Sequence, residues 1–256
     1  MEKSRLNGVI LALIYFNIKT IQNMQNDVRN KEYLFQSTKN DIFFISDPHF
    51  GHQNILKYCN RPFKSTDEMN EFIINRWNLL VKKDDIVFIL GDIAFGGSGL
   101  FDKIVPRLNG QKYLILGNHD YKNMREKYRE YFVKVSTKMF ISIDGQPIIL
   151  NHEPLLCFGG QMDNRIWHLF GHVHTSHGKQ QGSDYKRVKY LSTPTMYDVG
   201  VDFNEYIPVR YQIIKSHIEK QKKTGLNFIE LEQYNTASKF GKWIIKLRRK
   251  LINYFL

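Results

Sequence analysis

The stretch FFISDPHFGHQN, Phe43 to Asn54, decides how the chain is read. Ile42 to Ile45 run without a polar break, the run stops at Asp47, and His49 and His52 follow. A continuous apolar run this short suits a strand covered on both faces. What a carboxylate and two imidazoles do at the mouth of such a strand has to be answered by the rest of the chain.

The same pattern recurs as IVFIL (Ile86 to Leu90), YLIL (Tyr113 to Leu116), PIIL (Pro147 to Leu150) and IWHLF (Ile166 to Phe170). Between the first two runs, Ser65 and Glu68 have capping-box spacing. Met69, Phe72, Ile73, Trp77, Leu80 and Val81 then recur at helical intervals, which predicts a helix. A second helix is expected over 100–108, interrupted at Pro106 and closed by an Asn109-Gly110 turn. The segment from Tyr206 reads as a strand or helix start, then a helix to about Lys222. Alternation of strand and helix implies an α/β fold. The compact domain is expected over 41–222, with an N-terminal extension over 1–40 and a linker with a basic helix over 223–256.

Each predicted strand ends in chemistry-bearing residues: Asp47-Pro48-His49, Gly91-Asp92, Gly117-Asn118-His119-Asp120, Asn151-His152, and Gly171-His172-Val173-His174. In open α/β sheets that edge is where ligands bind. Any one of these blocks alone is an ordinary turn. Five in succession, carrying five of the nine histidines, form a pattern. Carboxylate and imidazole together suit divalent transition metals. A bridging carboxylate and about three further protein ligands per metal are what two ions clamping an in-line displacement require.

The ordered blocks D-x-H, G-D, G-N-H-D, H and G-H-x-H resemble those of the calcineurin-like metallophosphoesterase superfamily, over residues 47–174. The resemblance implies an α/β/β/α four-layer sandwich with a dinuclear metal site at the strand C-terminal edge. It assigns Asp47, His49 and His174 to one divalent ion, Asn118, His152 and His172 to the other, and Asp92 to a bridge. It makes a metal-shared hydroxide the nucleophile, His119 the general acid and Asp120 its support. Manganese, iron, zinc or nickel would suit, with manganese favoured. The chain reads GDIAFGG where Ser/Thr protein phosphatases carry a distinctive Tyr-Val-Asp-Arg-Gly. DPHFGHQNIL, NRPF and MYDVGVDFNEYIPV instead resemble the small bacterial and phage-type phosphoesterases. The implied substrate is a phosphate mono- or diester. A nuclease, a cyclic nucleotide or dinucleotide phosphodiesterase, and a catalytically silent scaffold on the same fold are the alternatives.

Two residues near the first block are candidates for the substrate side. Arg61 offers forked donors to a phosphate, or is a surface arginine before Pro62. His52 lies beside the metals or caps the following helix. His168, next to Trp167, reads as structural, and His177 has no motif support. The GGSG loop at Gly96 to Gly99 lacks the Lys-Ser/Thr of a nucleotide-binding P-loop.

A hydrophobic content of 42% and a charged content of 24% are those of a globular protein, not a disordered one. Two cysteines, Cys59 and Cys157, make a disulfide framework unlikely; both read as buried thiols in a reducing, cytoplasmic compartment. Gly8 to Phe16, GVILALIYF, is too short to span a membrane. It has the length of a signal-peptide core, but no small-x-small site follows, so an element packed on the domain is expected. The net charge is +12, and half of it comes from Lys239, Lys242, Lys246, Arg248, Arg249 and Lys250, with no acid after Thr236. Lys239, Lys242, Lys246, Arg249 and Lys250 share one side of a helix, and Phe240, Trp243, Ile244, Leu247, Leu251 and Tyr254 the other, with Arg248 on the apolar side. Residues 239–256 are therefore a cationic amphipathic helix for an anionic membrane, a protein partner, nucleic acid or the domain itself.

Overall fold

Among the described residues, the first two strands go to different sheets in the computed structural model, which describes residues 33–95, 98–123, 125–175, 182–239 and 241–247. These are β1 (Leu34–Phe35) and β2 (Ile42–Ile45). Next come α1 (Ile55–Tyr58), α2 (Thr66–Leu80), β3 (Ile86–Ile89), α3 (Ser98–Ile104), β4 (Gln111–Ile115), α4 (Asp120–Asn123) and β5 (Lys134–Ser136). The chain continues through β6 (Lys138–Ile143), β7 (Gln146–Asn151), β8 (Trp167–Phe170), α5 (Gly182–Leu191) and β9 (Met196–Asp198). It then runs through β10 (Val209–Arg210), α6 (Tyr211–Thr224) and α7 (Phe228–Thr236). One sheet has the order β10-β2-β3-β4-β5, the other β1-β6-β7-β8-β9. In the first, β2 to β5 are parallel and β10 is antiparallel; in the second only the β6–β7 pair is antiparallel.

Alternation along β2 explains its unbroken apolar run. Phe43 and Ile45 join Met69, Ile73 and Trp77 of α2, whereas Ile42 and Phe44 join Met139, Ile141, Ile148 and Leu150 of the second sheet. Helices α5, α6 and α7 complete the second core, with Phe228 set against Phe170 and Tyr197. The fold is mixed α/β with two packed sheets and helices, as the resemblance implied.

Helix α2 starts where the spacing predicted. The Ser65 hydroxyl accepts the Glu68 N–H at 3.2 Å, while the Glu68 carboxylate takes the Lys64 N–H instead of the reciprocal Ser65 one. Helix α3 gives way to a 3-10 turn over Val105–Arg107 at Pro106, which has no N–H to continue the ladder. Helix α6 ends on Gly225 at φ 70°, in the left-handed region that Gly adopts without a Cβ penalty.

Three expectations need correction. Residues 34–35 are not part of a separate extension: they pair in parallel with Ser142 and Ile143. Residues 228–236 are not a linker: Asn227 and Glu230 form a capping box, and Phe228, Ile229 and Leu231 enter the core. Cys59 is buried as expected, but Cys157 is exposed. In the described part of the basic tail, Trp243, Ile244 and Leu247 are exposed rather than packed on the domain. The run at 8–16 and His177 lie outside the described residues. Among those residues no helix is long and apolar enough to cross a membrane.

Candidate metal centre

Parallel strands put their C-terminal ends on one edge, and backbone bonds continue past them. The Asp47 and His49 N–H groups donate to the carbonyls of Gly91 and Asp92, both at 3.1 Å. The Gly171 N–H donates to the His152 carbonyl at 2.8 Å. The sheets are tied together at this edge. The His172 N–H donates to Asp47 Oδ2 at 2.8 Å, and both Ser46 Oγ and His152 Nδ1 donate to the Leu90 carbonyl at 2.7 Å.

Five of the residues so gathered sit at positive φ: Asp47, His49, Asp92, His172 and His174, between 50° and 70°. Non-glycine residues there carry a strain of order 1–3 kcal/mol each, which the surrounding structure must impose. The motif glycines have a complementary reason. A Cβ on Gly117 would collide with the Asp92 carboxylate, and one on Gly171 with the Asp47 carboxylate and Ser46 hydroxyl.

The predicted metal-binding residues come together. Asp92 Oδ2 lies 3.5 Å from His49 Nε2 and 3.5 Å from His152 Nε2. On one side, Asp47 Oδ1 is 3.8 Å from His49 Nε2 and 3.9 Å from His174 Nε2. On the other, Asn118 Oδ1 is 3.1 Å from both His152 Nε2 and His172 Nδ1. Asp47, His49 and His174 form one group able to hold a cation; Asp47, Asp92 and His152 form a second. Two fully buried atoms at the centre, Asp47 Oδ1 and His49 Nε2, have no hydrogen-bond partner. Leaving such groups unsatisfied is costly, and a divalent cation on oxygen and imidazole donors would satisfy both.

Electrostatics point the same way. Burial, reinforced by His174, drives the His49 pKa well below its ordinary value, leaving a neutral ring with a lone pair. Burial acts in the same sense on His152, but the Asp47 charge and the Asp92 hydrogen bond outweigh it and push the pKa up to about 9. These carboxylates stabilise positive charge between them. The Leu90 carbonyl holds the proton of His152 on Nδ1, which turns Nε2 inward.

Asp202 does the same for His174, whose Nδ1 is 2.8 Å from Asp202 Oδ2. Asp202 escaped the sequence reading, where MYDVGVDFN served only as a mark of the branch. The available signal was a carboxylate between two apolar residues, Val201 and Phe203, a setting that demands a buried partner. That partner is Arg61. Its Nε and Nη2 donate to the two Asp202 oxygens at 2.9 and 2.8 Å. The remaining donors go to the carbonyls of Asp47 (2.8 Å) and Pro48 (2.9 Å) and to Met69 Sδ (3.3 Å). All five guanidinium N–H groups are taken and the side chain is fully buried, so Arg61 is neither a phosphate clamp nor a surface arginine.

Asp120, expected to support His119, bonds to backbone. It is completely buried and accepts the N–H groups of Asp92 (2.7 Å), Gly117 (2.9 Å) and Ile93 (3.1 Å). It pins the two loops that carry Asp92 and Asn118 through their backbone N–H groups. The His119 side chain is partly exposed, with Nε2 3.9 Å from Asp92 Oδ2 and its ring edge-on to Phe95 at 5.2 Å. His52 stacks on Phe95 at 4.1 Å, its Nδ1 3.3 Å from His49 Nδ1. The α1 N-cap is Asn54, so His52 is not the cap. His168 is fully buried in a structural role: its Nε2 accepts the Leu155 N–H at 3.0 Å, and burial lowers its pKa to about 4.

Two packed sheets with a histidine–carboxylate cluster on one edge define a family, and the calcineurin-like phosphoesterase model matches residues 41–234: the chain belongs to that family. The match takes in most of α7, beyond the boundary expected near 222. The chain is 34% identical over 183 residues to an uncharacterized protein of Methanocaldococcus jannaschii, covering 71% of this chain and 93% of that one. It is 31% identical over 130 residues to the gene 66 protein of Mycobacterium phage D29, covering 44% of this chain and 64% of the phage protein. A protein of unknown function from Aquifex aeolicus has a similar structure, with a TM-score of 0.52 at 23% identity over 70% of this chain and 99% of that one. That likeness concerns the fold alone.

Proposed function

We propose that the protein is a metal-dependent phosphoesterase that hydrolyses phosphomonoesters or phosphodiesters. The observation that carries this is Asp92 Oδ2 standing 3.5 Å from both His49 Nε2 and His152 Nε2, where one carboxylate can serve two ions. Asp47, His49 and His174 would hold one divalent ion and Asn118, His152 and His172 the other, with Asp92 shared. When bound, such ions supply acidified water and neutralise charge on a transferring phosphoryl group. Asp47 and Asp92 are the only anions among the seven ligands, so a doubly loaded site is net positive and attracts phosphate. His119, beside the Asp92 carboxylate and open to solvent, would donate a proton to the leaving oxygen, with His52 and Phe95 fixing its surroundings. Retention of all seven ligands weighs against a silent scaffold. The charge of +12 favours an anionic, nucleotide-containing ester, which keeps nuclease and cyclic nucleotide chemistry as the second reading. The two-cysteine composition supports a cytoplasmic setting.

The test is hydrolysis of bis(p-nitrophenyl) phosphate and p-nitrophenyl phosphate by protein loaded with manganese, iron, zinc or nickel. Turnover should require metal, and His119→Ala should lose about 10²- to 10⁴-fold while keeping its metal. No turnover with any of these ions, together with no bound metal, would sink the proposal.

The same proposal places residues 239–256 on an anionic membrane surface. Lys242 and Lys246 stand over the Tyr234 ring at 5.3 and 5.4 Å, while Trp243, Ile244 and Leu247 on the neighbouring flank are exposed. Apolar aromatics beside lysines are the chemistry of an interfacial helix. Flotation with phosphatidylglycerol vesicles should recover the full chain but not one lacking residues 236–256. Equal recovery of both, or binding to nucleic acid instead, would reject the membrane assignment.

A further inference from the structure

A cleft of about 390 Å³ lies between α5, the loop after β7 and the loop after β8. Its volume is within the range of small-ligand pockets, about 300–1,000 Å³. It is lined by Leu156, Val173, Val188, Leu191 and Met196, and by His172. That ring also belongs to the metal centre, its Nδ1 3.1 Å from Asn118 Oδ1 and 3.2 Å from His152 Nε2. The cleft therefore borders the side of the site assigned above to the second ion.

Three features indicate what it takes. Val173, Val188 and Met196 are buried, while Leu156 and Leu191, from separate elements, are 64% and 38% exposed. Two leucines held open around an apolar floor mark a binding groove. The wall at Leu155 is held in place, its N–H donating to His168 Nε2 at 3.0 Å. The rim carries Glu153, Asp184 and Arg187, the last two paired at 3.2 Å. With Arg187 paired to Asp184, the net charge of the rim comes from Glu153, which disfavours a second phosphate.

We propose that this cleft is a subsite for an uncharged apolar group, of aryl size, esterified to the phosphate bound at the metal centre. The proposal rests on the phosphoesterase reading and narrows its substrate class to esters with an apolar alcohol on the His172 side.

The experiment uses the full manganese-loaded chain and two diesters that share a p-nitrophenolate leaving group, with methyl or 2-naphthyl as the other ester. Burying one aromatic ring should raise kcat/KM for the naphthyl diester about tenfold to a hundredfold over the methyl one. Leu156→Ser and Leu191→Ser, both at open positions, should each cut that ratio several-fold, whereas Leu79→Ser, exposed on α2, should leave it intact. Equal rates for the two diesters in the wild type, or a ratio untouched by the cleft variants, would overturn the proposal. If neither diester turns over with manganese, iron, zinc or nickel and no metal is bound, the phosphoesterase reading fails, and fluorescence binding of 2-naphthylphosphonate still decides the cleft. Binding weakened by Leu156→Ser and Leu191→Ser supports it; absent or unaltered binding refutes it.

Discussion

Asp202→Asn removes one charge from a pair that has no access to water. The Arg61 and Asp202 side chains are 0% and 1% exposed, and the guanidinium spends two donors on the carboxylate. Burial raises the carboxyl pKa, but Arg61 outweighs it and holds Asp202 below its ordinary value, so the native pair is ionised. The amide keeps one acceptor, turns an NH₂ toward a cation and leaves the guanidinium charge uncompensated. Breaking a buried pair this way costs about 3–5 kcal/mol. With a urea m-value of about 2 kcal/mol/M, the midpoint should fall by roughly 1.5–2.5 M. Measured in EDTA, this outcome is independent of any metal. A second readout concerns His174, whose Nδ1 loses its carboxylate partner; loss of such a partner lowers metal affinity about 10- to 100-fold. Arg61→Lys should also be destabilised, since an ammonium cannot span Asp202 and the carbonyls of Asp47 and Pro48 together. A midpoint within 0.5 M of wild type for Asp202→Asn, a threshold of about 1 kcal/mol at that m-value, would show that the pair is not what braces the Asp47 loop.

Two other perturbations test the same edge and the core beside it. Gly171→Ala drives a methyl into the Asp47 carboxylate and the Ser46 hydroxyl, so it should cost about 1–3 kcal/mol in urea unfolding and weaken metal binding; an alanine variant matching wild type in both would contradict the close approach. His168 supplies a pH test: its folded pKa of about 4 lies below the ordinary 6.5, so the unfolded chain takes up the proton first as pH falls. Its stabilising contribution is complete above pH 6.5 and is lost toward pH 4, a change of about 3 kcal/mol. His168→Gln retains an acceptor for the Leu155 N–H and should flatten the unfolding profile between those values; an unchanged slope would be the contrary result.

Much of the architecture was legible because burial on two faces leaves a mark in one dimension. The unbroken runs at 42–45, 86–89 and 147–150 are apolar because each strand lies between two layers, and 167–170 is interrupted only by the buried His168. The missed elements lack that mark. β6, KMFISI, mixes Lys138 and Ser142 into its run. β1 is two residues long and held by a partner far along the chain. α5 is mostly polar, and of its residues whose burial is described only Tyr185 and Val188 are buried.

The site divides along the same line. Sequence alone determined which residues stand at the strand ends, since Asp, Asn and His after an apolar run are local facts. Their assembly around Asp92 follows once parallel strands share an edge. Whether a polar side chain faces the cavity or the interior is not local, because it depends on which partner the fold delivers. Arg61 finds Asp202, 141 residues away, and is consumed as a brace. Asp120 finds three backbone N–H groups and turns away from the surface. Tertiary structure decided both, because a buried charge takes the orientation in which its hydrogen bonds are complete.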